Sequence, residues 1–384
     1  MRALAVVFGF LATVFSVPAL AGGPSPEIPF KKRVIDLGRN EPCAVADLNG
    51  DGYLDIVSGE NWFRGPEFQP KKFRSFYFFN NYIDDFSDMP FDVDRDGHVD
   101  VVSVSWGEQK IAWWRNPGRA IGEWVEQRIH EGLPVEFALL VDLDGDGAAR
   151  EVLPQFGGRP ADKTSWFEST GPDGKWVEHT VKLAADGHGI GAGDVNGDGR
   201  MDILTPKGWL EGPSDPRKTP WKMHAEFEVE EHAGFLHVLD IDGDGLNDII
   251  APHAHSYGIY WLKQVRGDSG QRVWERQVID DSWSQAHAST MADLTGDGRP
   301  ELITGKRFFA HNGHDKGGRE PLGLYWYEYA NNGKQWEWLR HTIHYGGRVG
   351  TGMQIPVVDI DKDGDLDIVV GGKGGVFLFE NLTR

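Results

Sequence analysis

Apolar positions in this chain fall in short, mostly β-branched runs bounded by Asp, Gly and Asn. Examples are Ile56-Val57 after Asp55 and Ile368-Val369-Val370 after Asp367, and such runs read as strands. Four kinds recur in order. An inner strand A spans Ala44 to Asp47 in one unit and Phe235 to Asp240 in another, and strand B follows the next polar turn. Strand C carries a Trp/Tyr/Glu signature, as in Trp166-Phe167-Glu168, Trp209-Leu210-Glu211 and Tyr325-Trp326-Tyr327-Glu328. Strand D is of the Trp-x-x-His/Gln-x-Ile type, as in Trp176 to Val181, Trp274 to Ile279 and Trp338 to Ile343. Most of the 15 Trp belong to these strands, where packing between neighbouring units is their simplest role.

The turn between A and B is the most regular feature. Oxygen side chains stand at positions 1, 3, 5 and 9, with Gly at position 6: Asp47, Asn49, Asp51 and Asp55; Asp92, Asp94, Asp96 and Asp100; Asp194, Asn196, Asp198 and Asp202. Further copies hold Asp240, Asp242, Asp244 and Asp248, and Asp359, Asp361, Asp363 and Asp367. Two copies vary. Asp142, Asp144 and Asp146 are followed by Glu151 one residue late, and Asp293, Asp297 and Glu301 have Thr295 at position 3. Alternating carboxylates around a sharp Gly turn suit a hard cation, so several structural calcium ions are expected. An EF-hand opens in the same way but needs Glu at position 12 and flanking helices. Position 12 here holds Ser58, Ser103, Leu153, Thr205, Ala251, Thr304 and Val370, so the loops belong to β-hairpins.

Successive first aspartates lie 45, 50, 52, 46, 53 and 66 residues apart, a period that indicates a propeller of four-stranded blades. Phe30 to Ile35 reads as a strand D without its A, B and C. The last A, B and C end at Gly375 to Glu380 without a D. Joining them closes the ring and removes the open edge. The expected fold is all-β: a seven-bladed β-propeller with calcium loops in the A–B hairpins, forming one domain over residues 22–384. Residues 1–21 read as a signal peptide. Arg2 precedes an apolar Ala3 to Phe15, and Ala19-Leu20-Ala21 is a small-residue cleavage site. A secreted or periplasmic location follows, with no transmembrane segment.

Charge changes the picture less than its size suggests. The formal net charge is −20, but 25 of the 59 acidic residues are loop positions, and seven divalent ions would leave about −6. No basic stripe is present, which argues against nucleic acid as a partner. The single Cys43 cannot form an internal disulfide, so bound calcium takes over the role of stabiliser.

These residues resemble the FG-GAP/VCBS repeats of integrin-type propellers across essentially the whole mature chain. A narrower likeness lies in Gly305-Lys306-Arg307-Phe308-Phe309-Ala310-His311-Asn312-Gly313-His314-Asp315 with Pro321 to Tyr327, which is similar to the propeller part of aldos-2-ulose dehydratases. That resemblance implies elimination of water from a keto-sugar.

Repeat register locates candidate chemistry. Six residues before each first Asp stand Glu41, Phe86, Glu136, His188, Gly234, His287 and Met353. At the exits of strand B stand Glu60, Ser105, Phe156, Lys207, His253, Lys306 and Gly372, with His255 and Lys373 close by. Both sets fall on the face opposite the acidic loops, together with the long loop carrying Arg307, His311 and His314. Any one His is most simply a satisfied polar residue. His179, His224 and His341, on strand D, are assigned to structure. The others share one face. Three chemistries fit: a neutral His (His188 or His287) as base, with Lys306, Arg307, His311 and His314 holding substrate or enolate; a transition metal such as Zn or Mn on His188, His253 or His255, and His287; or glycan binding without chemistry. Glu41, Glu60 and Glu136, expected across the ring from the histidines, join Lys207 and Lys373 as substrate-binding candidates. Gly189-Ile190-Gly191-Ala192-Gly193 leads into a strand, so it is no phosphate loop. The leading expectation is a secreted carbohydrate lyase or dehydratase performing β-elimination on a keto- or uronic-type sugar. The alternative is a non-catalytic, calcium-stabilised propeller binding glycan or an extracellular protein.

Overall fold

The computed structural model describes residues 23–118, 122–157, 163–182, 187–218, 220–229 and 232–384. The leader expected over 1–21 lies outside them. The chain forms antiparallel four-stranded units arranged as a β-propeller. In the first, strands Ala44–Ala46, Asp55–Ser58, Asn61–Arg64 and Gln69–Lys72 pair in sequence order. The innermost three residues are buried, while the outermost strand is exposed throughout, so each unit grades from core to solvent. Trp113, Trp166, Trp209, Trp261 and Trp326 are among the largest fully buried side chains, in keeping with Trp as packing between units. The ends meet as expected. Phe30–Asp36 pairs antiparallel with Gly375–Asn381 and completes the sheet of Val357–Val358 and Asp367–Gly372.

One departure concerns the sheets. Seven separate ones are expected, whereas five are separate four-stranded sheets and eight further strands form a single sheet. Its two halves join where His188–Gly193 runs parallel to His232–Leu239. The Gly189, Gly191 and Gly193 series is the cause. A Cβ on Gly191 would lie 2.2 Å from the Leu236 carbonyl oxygen, and one on Gly193 would lie 2.6 Å from Val238 Cβ. Without side chains there, the two inner strands approach to hydrogen-bonding distance.

Each acidic loop is tied to its own backbone. In the first, Asp47 accepts N–H groups from Gly50 (2.8 Å) and Gly52 (2.9 Å), and both glycines have positive φ. The ninth residue points inward instead. Asp55 is buried and accepts from Leu48 N (3.0 Å) and from Gly65 N (2.9 Å), locking the loop to the third strand. Asp100, Asp202, Asp248 and Asp367 repeat this double acceptance. Glu151 and Glu301 take the second residue's N–H in the two irregular loops, where the longer side chain reaches the same donor. Burial pushes the five aspartates up to about 7 and the two glutamates up to about 8. Carboxylate oxygens of Asp92, Asp94 and Asp96 lie within 4.8 Å of one another, as do those of Asp142, Asp144 and Asp146 and those of Asp240, Asp242 and Asp248. These clusters have the spacing a cation would need.

The strand-D histidines are structural, as expected. His179, His224 and His341 stack on Trp166, Trp209 and Trp326 at 4.1, 4.1 and 3.7 Å between centroids. They bond Glu168, Glu211 and Glu328 at 3.0, 2.7 and 2.9 Å. Burial alone would depress His341, but Glu328 and Glu27 raise it above its ordinary 6.5. Burial alone would raise Glu328, but His341 and Ser25 hold it below 4.5. A raised His contributes fully below its unfolded value and loses that contribution as pH rises through the folded one. A lowered Glu contributes above its unfolded value and loses it as pH falls. The pair therefore stabilises most between about 4.5 and 6.5. His341→Ala is expected to cost about 2–3 kcal/mol in urea unfolding at pH 6 and visibly less at pH 9. An equal cost at both would show that only the stacking matters.

Candidate functional site

Inner strands converge at their starts, and there the sequence places charged or imidazole side chains. Glu136 lies in Val135–Val141, His188 opens its own strand, and Glu41 and His287 precede theirs by two or three residues. The acidic loops follow the far ends of the same strands. Six residues at roughly 3.3 Å each separate the two regions by about 20 Å.

Glu136 is the hub. Its Oε2 lies 3.0 Å from His188 Nε2, and its Oε1 is 3.3 Å from both His287 Nε2 and Arg307 Nη1. His188 Nδ1 donates to the Ala233 carbonyl at 2.7 Å, which fixes its tautomer because a carbonyl can only accept. His255 Nδ1 faces Asp315 Oδ2 at 3.1 Å, and its Nε2 faces His188 Nε2 at 3.2 Å. Glu136, His188, His255 and His287 thus each offer a ligand atom, all within 4.8 Å of one another.

Two imidazole lone pairs and a carboxylate pointing at one spot repel unless a proton or cation sits between them. Burial opposes a charge on His188, yet Glu136 raises it above its ordinary value. Burial likewise would raise Glu136, but His188 and His287 hold it well below. Burial drops His255 to about 4 and, with Arg307 assisting, keeps His287 well below the usual imidazole range. Phe137 provides the low-dielectric wall, with its ring 5.3 Å from His188 and 5.2 Å from His287. His255 and His287, kept neutral, and His188, whose Nδ1 is held by a carbonyl as that of His255 is by a carboxylate, match the donor set of Zn or Mn.

A second group borders the cluster. Arg307, about 1% exposed, reaches Glu41 Oε2 through Nη2 (3.3 Å) and Nε (3.4 Å). Lys373 Nζ stands 3.3 Å from Glu41 Oε1, donates to the Phe309 carbonyl at 3.1 Å, and lies 3.3 Å above the Tyr82 ring. Burial brings Lys373 down to about 8. His311 Nδ1 bonds Asp315 Oδ1 at 3.0 Å, and its ring stacks on His255 at 4.6 Å. Gln285 Nε2 donates to Asp315 Oδ2 at 3.2 Å. Glu41 Oε1 faces only the Lys373 ammonium, and Gln285 Oε1 and His287 Nδ1 are buried with no hydrogen-bond partner among the described residues.

Of the residues expected here, Glu41, Glu136, His188, His255, His287, Arg307, His311 and Lys373 come together. The glutamates do not stand across the ring from the histidines, because Glu136 touches two of them. His253 is not in the cluster; its Nδ1 accepts the His255 N–H at 3.3 Å and steadies that turn. Lys306 turns away and donates to the Ser284 carbonyl (3.2 Å) and Oγ (2.5 Å), since adjacent residues on an extended segment point to opposite sides. Glu60 bonds Lys72 and the Phe76 N–H. Lys207 and His314 are exposed. Tyr82, Asp315, Gln285 and His232 were missed. Tyr82, from the hairpin Phe78–Phe79/Tyr82–Ile83, accepts the His311 N–H at 2.6 Å, and His232 packs 5.1 Å from His255. His232 was legible as a His two residues before the register position Gly234.

The FG-GAP-like repeat model matches residues 92–149 and 240–304. A search of curated proteins returns no match. Among solved structures, the beta-propeller domain of Myceliophteria thermophila Cps50 (Swd1) shares 13% identity, covers 92% of this chain and 100% of its own, and has a TM-score of 0.52. BBS1N, solved in complex with ARL6DN, shares 10% identity over 92% of this chain and 96% of its own, with a TM-score of 0.54. No described helix is long and apolar enough to cross a membrane. The chain is therefore a β-propeller that carries FG-GAP-like repeats.

Proposed function

We propose that this propeller is a carbon–oxygen lyase that removes water from a keto-sugar at the Glu136/His188/His255/His287 cluster. The observation that carries the reading is the convergence of three imidazoles on a buried carboxylate, with the Nδ1 of His188 and His255 held by an acceptor. Those four residues would hold a divalent transition ion such as Zn or Mn. Such an ion supplies Lewis acidity to a substrate carbonyl and so acidifies the neighbouring C–H. His311, oriented by Asp315 and lying beside His255, is the base that takes that proton. Lys373, protonated at neutral pH and brought near it by burial, gives a proton to the departing hydroxyl, which leaves as water.

A keto-sugar fits better than a uronate. Arg307 and Lys373, the two cations facing the cluster, are already engaged by Glu41 and Glu136. The buried acceptor left without a partner, Gln285 Oε1, wants a hydroxyl donor. We count the eight-stranded sheet as two blades, which makes the ring seven-bladed. Its acidic loops hold calcium, and the leader over 1–21 directs the chain to a secreted or periplasmic location. Likeness to aldos-2-ulose dehydratases in the loop from Gly305 to Asp315 supports the reaction class. Metal analysis should find Zn or Mn besides calcium, and incubation with keto-sugars should raise the absorbance of a conjugated enone. A binding module is the second reading, since BBS1N was solved with a protein partner. Saturable glycan or protein binding without product, and with calcium alone, would establish that reading instead.

A further inference from the structure

The hairpin that supplies Tyr82 also carries aromatic rings the site chemistry does not use. Tyr77 and Phe78 are 61% and 49% exposed, two large rings left facing water. Four rings form a series running inward. Tyr77 and Phe79 are parallel within 1° at 6.4 Å, Phe79 and Tyr82 lie at 27° and 6.0 Å, and Tyr82 and Phe86 at 23° and 5.8 Å. The third ring, Tyr82, is the one beneath Lys373 and bonded to His311, so the series is continuous with the site. It is also held rigid. Asn312 Nδ2 donates to Asn80 Oδ1 at 2.9 Å, Asn81 Nδ2 donates to Asn312 Oδ1 at 3.2 Å, and Asp84 N donates to the Tyr77 carbonyl at 2.9 Å.

We infer that the shelf formed by Tyr77 and Phe79 is a second sugar subsite, so that the natural ligand is an oligosaccharide whose terminal unit enters the cluster. Axial C–H groups of a pyranose present an apolar face that stacks on an exposed aromatic ring, whose π face is electron-rich. A shelf pre-ordered by its hydrogen bonds loses little conformational freedom on binding. Tyr82 and Phe86 continue the apolar wall towards the site, where the partnerless acceptor Gln285 Oε1 takes a hydroxyl of the terminal unit. The subsite extends the keto-sugar reading above and rests on it for the identity of the terminal unit.

The test is calorimetric titration of the whole chain with calcium present. The probes are a single 2-keto-aldohexose and trisaccharides ending in the same unit through β-1,3, β-1,4 or α-1,4 links. At least one trisaccharide should bind about tenfold tighter than the monosaccharide, and Tyr77→Ala should erase that difference while Tyr77→Phe keeps it. Tyr77 is exposed, so far-UV circular dichroism should show the variant folded. Equal affinity for all probes overturns the subsite, as does a chain-length gain that survives Tyr77→Ala. Chain-length-dependent binding without any new double bond would leave the shelf standing and remove the lyase. Monosaccharide turnover without a length effect would do the reverse.

Discussion

Glu136→Gln should leave a folded propeller that takes up no Zn or Mn at the cluster and has lost at least about a thousandfold in kcat/KM, equivalent to about 4 kcal/mol. Three contacts meet at this carboxylate, to His188, His287 and Arg307. The amide keeps its shape but removes the charge that raises His188 above its ordinary value and that would help neutralise a divalent ion. Arg307 retains Glu41, so the substitution does not strand a buried cation, and the fold should survive. Asp315→Asn is the graded companion. It leaves all four converging atoms in place and changes the shared partner of His255 Nδ1, His311 Nδ1 and Gln285 Nε2, so a loss of about 10–100-fold is expected. Metal content by mass spectrometry and turnover by enone absorbance are read on the same samples. Glu136→Gln with full turnover would remove the cluster from the chemistry. Equal, total loss in both variants would mean that Asp315 does more than orient.

Much of that site was legible because the fold repeats. A propeller brings equivalent positions of its inner strands to one axis, so the residue six before each metal-loop Asp belongs to a ring whatever the intervening sequence. Glu41, Glu136, His188 and His287 follow from register alone. Register gives the ring but not the angle around it, and for that reason the glutamates were misplaced relative to the histidines. Contacts made by loops escape register altogether. Asp315 sits in the long connection after Lys306, and Tyr82 in a hairpin between units. Both reach the site through hydrogen bonds that span more than fifty residues, and no periodicity encodes those. Lys306 and Arg307 illustrate the finest scale. The sequence marks both as cations at the right place, and only the backbone's path decides that Arg307 enters while Lys306 turns to Ser284. Sheet count failed for a different reason. The glycines of His188–Gly193 suggest a tight approach, but their partner, Leu236, lies on the next unit's inner strand.

Stripping the loop cations should unfold the chain at ordinary temperature. Carboxylate oxygens of Asp92/Asp94/Asp96, of Asp142/Asp144/Asp146 and of Asp240/Asp242/Asp248 lie within 4.8 Å of one another. Without a counter-ion these repel, and the formal charge returns to −20. Ions bound there would stabilise only the folded state, because an unfolded loop no longer brings its oxygens together. At calcium one hundred times its Kd, one site contributes about 2.7 kcal/mol, so seven would contribute about 19 kcal/mol. That exceeds the roughly 5–15 kcal/mol net stability of typical domains. No disulfide compensates, since the only cysteine, Cys43, is buried and free. Melting followed by tryptophan fluorescence should therefore show a fall of tens of degrees when EDTA replaces millimolar calcium, and recovery when calcium is restored. Magnesium should restore less, because the smaller ion demands near-octahedral geometry and dehydrates reluctantly. Asp240→Ala, which removes the first oxygen of one loop, should lower the melting temperature by a fraction of that shift. A melting curve indifferent to EDTA would mean that the backbone N–H bonds to Asp47, Asp55 and their counterparts already suffice.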